Sequence, residues 1–141
     1  MNDATRAEVR EWLAISLQDL EAARLLAKQG TTFAEIVLYH CQQCAEKAVK
    51  GFLIFHGQSF PRTHDVAVLV RLAGAIEAGF LSWEEIAEVL SDYATAYRYP
   101  GVDQTPDEEQ VAEALEFAET IYRQAMTFLG DELGPSPSGS R

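Results

Sequence analysis

Residues 32–56, TFAEIVLYHCQQCAEKAVKGFLIFH, decide the fold. Phe33, Ile36, Val37, Cys41, Cys44, Ala45, Ala48, Phe52 and Phe55 recur at helical spacing and leave little of the surface polar. A helix apolar almost all round has no flank to give to water, so it belongs at the centre of a bundle or against a second subunit. Thr31 or Thr32 is placed to cap its start.

Working outward, the preceding segment from about Thr5 to Lys28 carries Val9, Leu13, Leu17, Leu20, Arg24 and Ala27 along one stripe, widened by Trp12 and Ile15, with Gly30 as its stop. On the other side, Gly57 to Arg62 reads as a loop. A shorter helix then begins near His64, carries Val66, Leu69, Val70 and Ala73, and ends around Gly79. Ser82 with Glu85 three residues on has capping-box spacing and opens a fourth helix through Ile86, Val89, Leu90, Tyr93 and Tyr97, which Pro100-Gly101 ends. A fifth follows Thr105-Pro106, with Pro106 at its first position and Asp107, Glu108 and Glu109 complementing the helix dipole. Its stripe of Val111, Leu115, Ala118, Ile121, Tyr122, Ala125, Phe128 and Leu129 runs to Gly130. The pattern predicts an all-α, up-and-down bundle of four or five helices over residues 5–130, with 131–141 as a disordered tail.

Composition narrows the function. The 141 residues fit one domain, and 48% hydrophobic content supplies a core without metal or disulfides. A net charge of −11 argues against broad nonspecific binding to nucleic acid, which depends on Lys and Arg neutralising phosphates. Any contact with nucleic acid must then be local or built at an interface. No apolar run approaches the ~20 residues of a membrane helix and the first residues lack a signal pattern, so a cytoplasmic protein with no membrane partner is expected.

Four groups of residues bear on chemistry. His40, Cys41 and Cys44 lack the second ligand pair of a structural zinc, and the cysteines sit mid-helix rather than at a redox-active N-terminus, so small core thiols are expected and no metal or cofactor. His40, Gln43, Lys47 and Lys50 line one narrow face, either as a solvated strip with a Glu46–Lys50 helix pair or as a phosphate- or dimer-facing strip. The loop Phe60-Pro61-Arg62-Thr63-His64-Asp65 feeds a helix N-terminus, where backbone N–H groups can hold an anion beside Arg62 and His64, or where Thr63 simply caps the helix. Tyr97-Arg98-Tyr99-Pro100 places an arginine between aromatics, suited to capping a helix end or to forking onto a phosphate while a tyrosine stacks on a base. No glycine-rich phosphate loop, nucleophile elbow or His-Glu-x-x-His motif occurs.

The order of these pieces resembles a known family. Trp12 and Asp19-Leu20-Glu21-Ala22-Ala23 precede Tyr39-His40-Cys41-Gln42-Gln43-Cys44-Ala45-Glu46-Lys47-Ala48-Val49-Lys50, then Pro61-x-Thr63-His64-Asp65 and Tyr97-Arg98-Tyr99-Pro100. Over roughly residues 8–129 this is similar to the HEPN domain found beside minimal nucleotidyltransferases. The resemblance implies a four- or five-helix bundle that forms homodimers, binds a nucleotide or RNA, and pairs with a minimal nucleotidyltransferase in a toxin–antitoxin-like couple. Lys47, Lys50, Arg62, His64, Arg98 and Tyr99 would then be the ligand-binding residues. Many members are metal-independent ribonucleases carrying an Arg followed four to six residues later by His. Arg98 matches that arginine, but Tyr99 to Gln104 contain no His, and Asp103 at the right spacing has an ordinary pKa of about 3.9 where proton transfer wants about 6.5. The alternative implied function is therefore an endoribonuclease using Arg98 for phosphate and His64, brought in by folding, as proton carrier.

Overall fold

The computed structural model of the chain describes residues 2–96, 100 and 105–133. Among these, three long helices and two short ones form an up-and-down bundle, with a 3-10 turn between the short pair and no strand. Helix α1 (Asp3–Ala27) begins where the Asn2 side chain accepts from the Thr5 N–H at 2.8 Å. It ends in a turn closed by Gly30 at φ 72°, a left-handed conformation that favours glycine.

Helix α2 (Ala34–Phe55) is the central element and packs against α1, α3 (Val66–Ile76), α4 (Glu84–Ala96) and α5 (Glu108–Leu133). Its start differs from expectation: the threonines lie in a turn, Phe33 occupies the cap, and no side chain caps the helix. Its end is a Schellman motif. Gly57, at φ 66°, donates to the Ile54 carbonyl while Gln58 donates to that of Leu53. Phe33 and Ile36 from the predicted apolar surface are exposed, as is Ile15 on α1. The buried seam of α1 runs through Val9, Leu13, Ser16, Leu20 and Ala23 instead, which leaves Ile15 on the outer flank.

The later boundaries also shift for local reasons. Asp65 caps α3 by accepting from the Ala67 N–H, whereas Thr63 accepts from Asp65. Ser82 sits inside the 3-10 turn Ala78–Trp83, which runs directly into α4 at Glu84. Pro106 precedes α5 rather than opening it: Asp107 and Gln110 form a reciprocal capping box, Asp107 Oδ1 accepting from Gln110 N–H at 2.8 Å and Gln110 Oε1 from Asp107 N–H at 3.0 Å. Helix α5 continues past Gly130 to Leu133, which is buried and whose carbonyl accepts from the Arg10 guanidinium of α1. Residues 134–141 of the expected tail lie outside the described residues.

Both cysteines are buried in the core. Burial pushes the Cys44 thiol up to about 12 against the lowering effect of its Ser16 hydrogen bond, and burial with the neighbouring Cys44 raises Cys41 further. Neither is a thiolate nucleophile at neutral pH. Ser16 Oγ donates to the Cys44 carbonyl at 2.7 Å, a buried cross-link between α1 and α2.

The far end of the bundle is closed by three aromatic rings. Phe52 lies 4.7 Å from Phe80 and 6.3 Å from Phe128, and Phe80 lies 5.2 Å from Phe128, centroid to centroid. The 3-10 turn approaches α5 so closely that a Cβ at Gly79 would sit 2.7 Å from the Phe128 ring. Phe52 on α2 is thus packed against both the 3-10 turn and α5, and F52A is expected to lower the free energy of unfolding in urea by about 3–5 kcal/mol. A loss under about 1 kcal/mol would show that the ring cluster does not hold the turn to α2.

Candidate functional site

The polar residues of α2 form two ionic groups rather than a free strip. At the α1 seam, Asp19 accepts from both His40 Nδ1 (2.8 Å) and Lys47 Nζ (2.7 Å). Glu46, next to Lys47 in the sequence, is almost fully enclosed and accepts from Lys50 Nζ at 2.9 Å, Gln42 Nε2 at 2.9 Å and His64 Nδ1 at 3.0 Å. The expected Glu46–Lys50 helix pair is present, and Lys50 also lies over the Phe60 ring at 5.7 Å. Lys47 and Lys50 therefore spend their charge on internal carboxylates.

The loop after α2 is held by the same group. Gln42 Nε2 donates to the His64 carbonyl at 2.6 Å as well as to Glu46, and Gln43 Nε2 donates to Gln42 Oε1 at 2.8 Å. Burial alone would raise the Glu46 pKa. Hydrogen bonds from Lys50, Gln42 and His64, with the Lys50 charge, outweigh it and hold the carboxyl below its ordinary value. Glu46 is thus an ionised acceptor at neutral pH.

The first donors of α3 are already engaged: the Val66 N–H donates to Ser91 Oγ at 2.9 Å and the Ala67 N–H to Asp65 Oδ1 at 3.0 Å. Of the two readings of this loop, the described contacts are those of a capped helix start, with Asp65 rather than Thr63 as the cap. Arg62 stands exposed on the loop.

Beside His64 an open cleft of about 400 Å³ runs between α2, the loop and α4. It is lined by Tyr39, Gln42 and Gln43 of α2, His64 and Asp65 of the loop, and Ser91, Asp92 and Thr95 of α4. The His64 side chain is 83% exposed. The cleft offers one phenol ring, two amides, two aliphatic hydroxyls, two carboxylates and an imidazole, with no lysine or arginine in its described lining. Arg98 and Tyr99, with Tyr97 and Asp103, follow Thr95 closely in the sequence and lie outside the described residues.

Of the residues singled out in the sequence, the fold brings His64 to a cleft and ties Lys50 to it through Glu46. Lys47 belongs to the separate Asp19 group. Gln42 and Glu46 organise the site, and Asp19 organises the separate group. The i, i+4 spacing of Gln42, Glu46 and Lys50 carries part of that signal, whereas Asp19 meets His40 and Lys47 only through the register of α1 against α2. Among the described residues no three His, Cys, Asp or Glu side chains converge as metal ligands, and no helix is long and apolar enough to cross a membrane.

Residues 9–127 match the family model of the HEPN domain. A protein of Methanocaldococcus jannaschii named "Putative toxin MJ1304" is 30% identical over 131 residues, covering 83% of this chain and 85% of that one. The crystal structure of ST0689, an archaeal HEPN homologue, superposes with a TM-score of 0.64 at 28% identity, covering 86% of this chain and 97% of that one. That of TT1696 from Thermus thermophilus superposes with a TM-score of 0.69 at 23% identity, covering 84% and 96%, and shares the fold.

The Glu46 geometry sets a pH dependence. The unfolded chain returns this carboxyl to its ordinary value of 4.5, while the folded chain holds it lower. Between those values the unfolded state binds more protons, so the stability that Glu46 contributes is full above 4.5 and is lost as pH falls through the folded value. E46Q is expected to cost roughly 1.5–3 kcal/mol near neutral pH, a gap that closes as both proteins are acidified. Thermal unfolding across the acid range checks this, and a gap that stayed constant would remove Glu46 from the acid transition.

Proposed function

The chain belongs to the HEPN family, and from that premise we propose that it is a toxin-like HEPN module that receives a nucleotide or an RNA segment in the cleft beside His64 and works as the partner of a minimal nucleotidyltransferase. The carrying observation is the cleft itself, where an exposed imidazole stands among an aromatic ring, amides and hydroxyls. Such a lining suits base stacking and edge hydrogen bonding in single-stranded RNA. The similarity to a protein named as a toxin along most of both chains supports the toxin-like role.

In this proposal Tyr39 and Gln43 face the base, while Arg62, Arg98 and Tyr99 meet the phosphate and sugar. Lys47 and Lys50 act indirectly, by fixing Asp19 and Glu46. The module is proposed to act as a homodimer, consistent with Phe33 and Ile36 standing exposed at the start of the central helix.

A metal-independent endoribonuclease is the second reading, and one observation favours it: a carboxylate holds Nδ1 of a solvent-facing histidine, the arrangement that presents the other ring nitrogen as a base. Arg98 would supply the phosphate contact that the described lining lacks.

A labelled single-stranded RNA incubated with purified protein in EDTA tests both. We expect binding that weakens several-fold in H64A and R98A, and co-purification with a co-expressed minimal nucleotidyltransferase. Cleavage abolished in both variants would instead establish the ribonuclease. Failure to bind RNA at moderate salt, together with no complex with the nucleotidyltransferase, would refute the module.

A further inference from the structure

The two nitrogens of His64 are not equivalent. Nδ1 lies 3.0 Å from Oε1 of Glu46, a carboxylate with only 4% of its side chain exposed. An ionised carboxylate only accepts hydrogen bonds, so the proton of the neutral ring must be on Nδ1 and the lone pair on Nε2. The opposite tautomer would set a lone pair against a negative charge. Glu46 is itself fixed by Lys50 and Gln42, and the same Gln42 amide clamps the His64 backbone at 2.6 Å. The cleft is thus given an acceptor at an oriented position, on a ring otherwise open to solvent.

An acceptor there selects a donor on the ligand. Phosphate oxygens and ring nitrogens with lone pairs present acceptors and are disfavoured. The sugar donor next to the phosphodiester is the 2′-hydroxyl, which ribose has and deoxyribose lacks. Building on the occupancy of the cleft proposed above, we infer that Glu46 is a positioning residue that fixes the His64 tautomer, and that Nε2 accepts a hydrogen bond from a ribose 2′-hydroxyl, so that the site selects ribonucleotides over deoxyribonucleotides. This assignment holds whether or not the proton is then transferred. It differs from phosphate recognition because the selecting contact is a lone pair on Nε2 rather than a positive charge.

The test uses oligoadenylate, oligodeoxyadenylate and 2′-O-methyl oligoadenylate of one length, which share their bases and charge. Anisotropy is expected to show wild type preferring the ribose form by roughly three- to tenfold, the worth of one hydrogen bond. The 2′-O-methyl form, which keeps the oxygen and loses the donor, should bind like the deoxy form. The preference should vanish in H64A and shrink towards none in E46Q. Equal affinity of wild type for all three would overturn the inference while leaving RNA binding in place, and absence of binding to any would remove the nucleotide function along with it. A preference intact in E46Q would overturn the positioning role. Nitrogen-15 spectra of the wild-type imidazoles give a readout independent of any variant's folding: His64 should be the Nδ1–H tautomer, and the Nε2–H tautomer would overturn the proposal outright.

Discussion

A carboxylate on the helix that the rest of the bundle packs against has to be neutralised inside the protein. Helix α2 is enclosed by α1, α3, α4 and α5, and Glu46 upon it is 3% exposed. An unpaired charge there would cost several kcal/mol, so its oxygens must be met by donors fixed in place. Lys50 and Gln42 meet it from the same helix, one turn either side. The third donor, His64, comes from the following loop, and recruiting it sets where that loop runs. Because the loop leads into Asp65 and the start of α3, which Ser91 of α4 also holds, one buried charge helps to place both short helices and the cleft between them.

The same requirement bears on the proposed contact with RNA. Lys47 and Lys50, the cations that sequence order puts on one face, point their charge at Asp19 and Glu46. Affinity built by releasing counterions from phosphates is then unavailable from α2, in keeping with a net charge of −11. What the described cleft offers is hydrogen bonding and stacking, interactions that report the identity of sugar and base. The module proposed here would gain selectivity at the expense of raw attraction.

The architecture was legible because helical periodicity is a local property. The near-absence of a polar flank on residues 32–56 marked α2 as central, and the three long and two short helices follow the predicted order. Helix ends were less legible, since they depend on which competing side chain wins the cap: Asp65 displaces Thr63, and Asp107 with Gln110 displaces Pro106. At the site, the Glu46–Lys50 pair could be read from spacing alone. The partnership of Glu46 with His64 spans eighteen positions and a loop, and that of Asp19 with His40 depends on the register of two antiparallel helices. Neither separation leaves a periodic trace.

Two carboxylate–imidazole–lysine groups lie along α2, and their chemistry is nearly the same. Asp19 binds His40 and Lys47; Glu46 binds His64 and Lys50, each histidine through Nδ1. Composition and hydrogen bonding therefore cannot tell a structural group from a functional one. Exposure and setting can. The His40 side chain is 28% exposed, has the Tyr39 ring edge-on at 5.6 Å, and its carboxylate partner joins the two most extensively packed helices. The His64 side chain is 83% exposed, sits on a loop, and lines a cleft. Ordering so exposed a ring contributes little to stability, because the side-chain entropy lost is offset by few packing contacts. A buried network that fixes the orientation of an exposed imidazole is better explained by what the free nitrogen meets than by what the bound one holds.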